Sequence, residues 1–112
     1  MTDDPAIEVL EYQTEDGRIP YREWLRSLRD RQARARVRVR VGRVSLGNLG
    51  DWGTVGGGVS ELRIHHGPGY RAYFGRQGNT MVILLCGGDK RTQAQDIELA
   101  QAYWADYQRR TA

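Results

Sequence analysis

Residues 81–86 read Met81-Val82-Ile83-Leu84-Leu85-Cys86, six apolar residues with no polar break. Apolar character without alternation over so short a span fits a strand buried on both faces at the centre of a sheet. Just upstream, Leu62 and Ile64 alternate with Glu61, Arg63 and His65, and Ala72 and Phe74 alternate with Arg71 and Tyr73. Period-two alternation marks two half-buried strands, over residues 60–66 and 69–76. Gln77-Gly78-Asn79 supplies the turn before residues 80–86. Consecutive strands favour antiparallel pairing, which points to an α+β chain.

The rest of the chain supplies helices and one more strand. Residues 7–13 carry β-branched and aromatic side chains and read as a first strand, followed by a turn at residues 14–17. Pro20 suits the first position of a helix, and Tyr21, Trp24, Leu25 and Leu28 fall on one helical face. In residues 32–46, Arg34, Arg36, Arg38 and Arg40 alternate with Ala35, Val37, Val39 and Val41, as in a strand. Ala33, Val37, Val41 and Val44 also form a helical stripe, and length favours the helix. Residues 47–58 hold a glycine cluster and read as a loop. Thr92-x-x-Gln95 has the pattern of a capping box opening a last helix, with Ile97, Ala100, Trp104 and Tyr107 as its apolar stripe. The expected architecture is a single domain over residues 1–112. It has a small, mostly antiparallel sheet, an N-terminal helix pair and a C-terminal helix.

Composition narrows the class of function. The net charge is +3 and the pI about 9.3, a lean toward nucleic acid or an acidic partner. Lys90 is the only lysine among 17 basic residues. The lone Cys86 excludes an intramolecular disulfide and suits a reducing cytoplasm; its apolar surroundings predict a buried, inert thiol. No apolar stretch reaches membrane-spanning length, and Met1-Thr2-Asp3-Asp4 lacks the apolar core of a signal peptide. Two adjacent histidines without a second cluster do not make a metal site, and no cofactor motif is present.

Register concentrates the chemistry. Keeping Leu62 and Ile64 on one face with Ala72 and Phe74 requires a three-residue connection, His66-Gly67-Pro68, which sets Arg63 opposite Arg71. Like charges directly opposite are destabilising, and an anion between them removes that cost. The alternative is an ordinary solvated pair of sheet arginines, paired with Glu61. His65 on the same side has a reference pKa suited to proton transfer. Gly87-Gly88-Asp89-Lys90 reads either as a phosphate-binding turn or as a plain strand-to-helix turn in which Asp89 balances Lys90. The candidate catalytic residues are Arg63, His65, Arg71 and Lys90, with His66, Tyr73 and Arg91 as RNA-binding neighbours.

Ile19-Pro20-Tyr21-Arg22-Glu23-Trp24-Leu25, the run from Val55 to Ile64, Gly69-Tyr70-Arg71 and Gly87-Gly88-Asp89-Lys90 together resemble the RelE/ParE toxin superfamily, in its HigB-like branch. The resemblance implies a RelE-like fold with residues 32–46 helical. It also implies a toxin of a type II toxin–antitoxin module that cleaves mRNA on the ribosome, activating the ribose 2′-hydroxyl against the adjacent phosphate. The same resemblance allows a ParE-like inhibitor of DNA gyrase, although convergent cations favour phosphate chemistry. It implies a cytoplasmic protein with a helix-turn-helix antitoxin as partner, and the ribosome and mRNA as targets. Arg71 matches the family's sheet arginine, and Lys90 its cation after the buried strand. Where RelE-type members carry a helix tyrosine this chain has Asp96, while Tyr103 lies further along and packs. Proton transfer then falls to His65, with His66 or Tyr73 as substitutes.

Overall fold

A computed structural model describes residues 6–112; the acidic start Met1-Thr2-Asp3-Asp4 lies outside the described residues. The elements run β1 (Glu8–Glu11), α1 (Pro20–Ser27), α2 (Arg31–Val44), β2 (Trp52–Gly56), β3 (Val59–Ile64), β4 (Tyr70–Gln77), β5 (Met81–Asp89) and α3 (Gln93–Thr111), with a short 3₁₀ turn at Lys90–Thr92 before α3. The strands form one sheet in the order β1-β5-β4-β3-β2. Only β1 and β5 pair in parallel; the other pairings are antiparallel. The chain is therefore α+β, with helices on both faces of a mostly antiparallel sheet.

Local signals explain most boundaries. Proline occupies the start of α1, where its missing N–H is not needed. Asp30 caps α2, its carboxylate accepting from the Gln32 and Ala33 amides at 2.9 and 3.3 Å. The ambiguous arginine–valine segment is this helix. Ala33, Val37 and Val44 are buried along the expected stripe, while Arg31, Arg36, Arg38 and Arg43 are exposed and Arg34 and Arg40 half-buried. The valines pack into a core, and burial outweighs their weak helix preference.

Two sequence expectations need correction. The glycine-rich segment is not all loop, because Trp52–Gly56 pairs with β3 as an edge strand. Its side chains gave no usable alternation, and only the partner strand reveals it. Nor does Thr92 close a capping box: its side chain makes no cap bond, its hydroxyl donating to Asp96 Oδ2 at 2.5 Å. Asp89 caps the preceding turn instead, accepting from the Arg91 amide at 2.8 Å.

The apolar run of β5 lies in the sheet interior between β1 and β4, while β4 holds the centre. Val82 and Leu84 face a core shared with α1 and α2, which includes Leu25, Val37, Leu62, Ala72 and Phe74. Ile83, Leu85 and Cys86 face a second core under α3, with Tyr73, Ala100 and Trp104. Consecutive Leu85 and Cys86 share a side because the β4–β5 ladder shifts register at Tyr73/Phe74. Cys86 is buried as expected, and burial pushes its thiol up to about 12.

Close packing of the helices depends on glycine. A Cβ at Gly75 would overlap the Trp104 ring of α3, and one at Gly87 would overlap the Trp24 ring of α1. Gly75→Ala is therefore expected to lower unfolding free energy by about 1–3 kcal/mol, the usual cost of overpacking a core, as read by urea denaturation.

Candidate active-site cleft

The β3–β4 ladder has the expected register, with Arg63 directly opposite Arg71 and Ile64 opposite Tyr70. The connecting turn closes through the His66 carbonyl, which accepts from the Gly69 amide at 3.0 Å. At this end of the sheet α3 no longer covers the face. A cleft of about 340 Å³ opens there, lined by Arg63, His65, His66, Arg71 and Lys90 with the turn backbone. All four candidate catalytic side chains thus meet in one place.

The facing arginines already have an anion. Glu61, two residues before Arg63 on the same face, is 3% exposed. Its Oε2 accepts from Arg63 Nε at 3.0 Å, and its Oε1 accepts from Gln93 Nε2 of α3 at 3.1 Å. Arg71 Nε lies 3.4 Å from Oε1, an ion-pair contact without hydrogen-bond geometry, so that buried N–H stays unpartnered. The like-charge cost is met from within the fold, as in the solvated-pair alternative, by a buried carboxylate where the alternative assumed open solvent. Arg71 Nη1 also donates to the Gly69 carbonyl at 3.1 Å, which ties the arginine to the turn.

His65 is exposed, and its Nε2 lies 2.5 Å from Asp51 Oδ2. Asp51 Oδ1 also accepts from Arg63 Nη1 at 2.9 Å. The His65 ring and the Arg63 guanidinium hold the Asp51 carboxyl below the usual carboxylate range. An ionised carboxylate only accepts, so Nε2 carries the hydrogen and Nδ1 is the ring nitrogen left open.

Lys90 is exposed at the cleft wall, and among the described residues its ammonium has no carboxylate partner. Asp89 pairs with Arg91 instead, at 3.0 Å, so the expectation that Asp89 balances Lys90 is corrected. Gly87 and Gly88 lie inside β5. Gly88 admits the Asp96 carboxylate against its backbone, since a Cβ there would overlap it. Burial raises the Asp96 carboxyl above its ordinary range.

The neighbours expected to touch RNA behave differently. Tyr73 shares the arginine face by alternation but is 0% exposed under α3, its hydroxyl buried and unpartnered. Burial raises its phenol well above the usual range. Tyr73 is thus a core residue, because α3 covers the sheet one pair beyond Arg71. His66 lines the cleft, yet its Nε2 is 3.0 Å from Asp30 Oδ2 at the cap of α2 and its ring stacks on Tyr70. It ties the turn to the helix. Arg91 is turned to solvent beside Asp89 and does not line the cleft. Tyr103 packs against Tyr12, ring centroids 4.9 Å apart.

Sequence reasoning missed Asp51 and Gln93. Asp51 sits in the segment read as loop, 14 residues before His65, and only the β2–β3 pairing joins them. Among the described residues there is no group of three or more His, Cys, Asp or Glu side chains placed to hold a metal ion. No helix among them is long and apolar enough to cross a membrane.

The Phage derived protein Gp49-like family (DUF891) matches residues 23–105. An uncharacterized protein of Haemophilus influenzae is 47% identical over 78 residues, covering 70% of this chain and 79% of the relative. The match corrects the RelE/ParE, HigB-like assignment, since it is to a different family. The short motifs behind that assignment follow the strand order and turn positions, which unrelated families can share. The matched family is phage-derived and related to toxin–antitoxin systems.

Proposed function

We propose that the chain, which belongs to the Phage derived protein Gp49-like family, is the toxin of a toxin–antitoxin pair and an endonuclease of mRNA. Its antitoxin is the partner that the family relation suggests. The observation that carries the nuclease reading is Lys90. It is the chain's only lysine, has no carboxylate partner among the described residues, and lines the same cleft as Arg63, Arg71 and His65. Glu61 and Asp51 together offset the charge of the two arginines, so Lys90 supplies the uncompensated positive charge that a phosphodiester would meet.

The chemistry follows from these groups. His65 Nδ1 takes the proton of a ribose 2′-hydroxyl, whose oxygen attacks the adjacent phosphorus. Charge builds on the non-bridging oxygens, where Lys90 and the remaining N–H groups of Arg63 and Arg71 stabilise it. The bond to the 5′ oxygen breaks, and the imidazolium or Lys90 returns a proton to that leaving group. Asp51 stabilises the imidazolium through Nε2. The products are a 2′,3′-cyclic phosphate and a 5′-hydroxyl.

The cleft offers no free aromatic platform for a base, since His66 and Tyr70 stack on each other, centroids 6.5 Å apart. Platforms of that kind hold single strands in many nucleic-acid-binding proteins. Base stacking therefore does not hold an RNA in this cleft, and positioning falls to phosphate contacts and to the ribosome that carries the mRNA.

The test is to incubate the protein with a defined mRNA, with and without translating ribosomes, and map the cut ends. Cleavage is expected with ribosomes present, and His65→Ala is expected to slow it by about 10²–10⁴-fold, the range for loss of a general base. Unchanged cleavage by His65→Ala would remove His65 from the mechanism; intact mRNA throughout would remove the nuclease reading.

A further inference from the structure

The helix α2 carries six arginines, at 31, 34, 36, 38, 40 and 43, and no acidic residue. None of them has a carboxylate partner within ion-pair distance among the described residues, whereas Arg18, Arg22, Arg63, Arg71, Arg91, Arg109 and Arg110 all do. Like charges four residues apart, such as Arg36 and Arg40, destabilise a helix. Within the fold only Arg34, which donates to the Leu28 carbonyl, and Arg40, which donates to the Asp51 carbonyl, have partners among the described residues; Arg31, Arg36, Arg38 and Arg43 have none.

Three of these arginines line a groove of about 540 Å³ between α2 and the start of β2 and end of β3. Arg36, Val39, Arg40 and Arg43 form one wall, facing Asp51 and His65. Asp51 is the single carboxylate in that lining, and its charge is already taken by His65 and Arg63. Arg40 donates from Nη2 to the Asp51 carbonyl at 2.8 Å, while its Nη1 is buried without a partner. The groove shares Arg63, Ile64 and His65 with the cleft, so the two adjoin across these residues.

We infer that this groove holds the phosphate backbone of a single-stranded RNA running out of the cleft. The inference rests on the RNA-cleavage reading above and adds a second, flanking subsite to it. Arg36, Arg40 and Arg43 share one helical face and span roughly 10 Å at 1.5 Å rise per residue. That is the length of about three stacked nucleotides at roughly 3.4 Å each. Arginine matches phosphate with a planar fork of donors, and Val39, 55% exposed, gives the riboses an apolar floor. The groove lining holds no Phe, Tyr or Trp, and its one ring, His65, is engaged by Asp51, so it tracks backbone without choosing bases.

The experiment measures binding of 2′-O-methyl oligouridines, which cannot be cut by 2′-hydroxyl attack, to wild-type protein and to R36A/R43A. Both arginines are exposed and unpaired, and thermal melting checks that the variant stays folded. Wild type is expected to bind a 12-mer about tenfold tighter than a 4-mer. R36A/R43A is expected to bring the 12-mer down to the 4-mer's affinity, with a salt slope shallower by about 1.4, or 0.7 for each lost phosphate. Equal affinity for the two lengths, or an unchanged 12-mer affinity in the variant, overturns the inference. So does a poly-glutamate peptide that binds more tightly than the 12-mer with the same dependence on Arg36 and Arg43, which assigns the groove to an acidic protein segment. Length-dependent binding in a protein that cuts no mRNA keeps the groove and discards the nuclease; cutting without length dependence does the reverse.

Discussion

Glu61→Ala is expected to lower the unfolding free energy by about 3 kcal/mol, the lower end of the range for breaking a buried ion pair. The low end applies because the Arg63 side chain is 35% exposed and partly solvated, although that of Arg71 is only 12% exposed. Removing the carboxylate leaves two guanidinium groups facing each other across β3 and β4, with Gln93 of α3 also unpartnered. Urea denaturation measures the loss, and Glu61→Ala/Arg71→Ala should cost less than the sum of the single changes, because the two residues share one interaction. Additive costs would mean that Glu61 acts through Arg63 and Gln93 and not through Arg71. The substitution should also weaken cleavage, since Arg63 and Arg71 hold their geometry against Glu61.

Lys90→Ala is expected to do the opposite, leaving stability within about 0.5 kcal/mol, as for an exposed residue without partners. Cleavage should fall by about 10²–10³-fold, the range seen when one charge-stabilising donor is removed from a reaction centre. A rate loss without a stability loss distinguishes a group that acts on substrate from one that supports the fold. Lys90→Arg should recover part of the rate, because the charge returns on a bulkier, planar head. Equal cleavage by wild type and Lys90→Ala would place the chemistry elsewhere in the cleft.

Much of this arrangement is legible from residue order. Alternation in two adjacent strands and the demand that Leu62, Ile64, Ala72 and Phe74 share a face were enough to place Arg63 opposite Arg71. The unbroken apolar run of β5 announced an interior strand, and the valine stripe of α2 survived its strand-like alternation. What periodicity cannot show is where a covering helix ends. Tyr73 and Arg71 are two residues apart on one face, yet α3 buries the first and leaves the second at the cleft. Nor can it show which distant loop supplies a carboxylate: Asp51 reaches His65 only because Trp52–Gly56 pairs with β3. Glu61 was visible as an alternation partner of Arg63, but its burial depends on Gln93 arriving from α3. The short motifs resembling the RelE/ParE superfamily marked turns and strand ends, and family membership had to come from the longer match.

Attack by the 2′-hydroxyl within the cleft leaves its signature on the termini of the cut RNA. A ribosome-bound mRNA cleaved by the protein is predicted to yield a 2′,3′-cyclic phosphate on the upstream fragment and a 5′-hydroxyl on the downstream one. A single 2′-deoxy substitution at the cut site should then abolish the reaction. Fragments ending in a 3′-hydroxyl and a 5′-phosphate, or cleavage that persists at the deoxy position, would exclude 2′-hydroxyl attack.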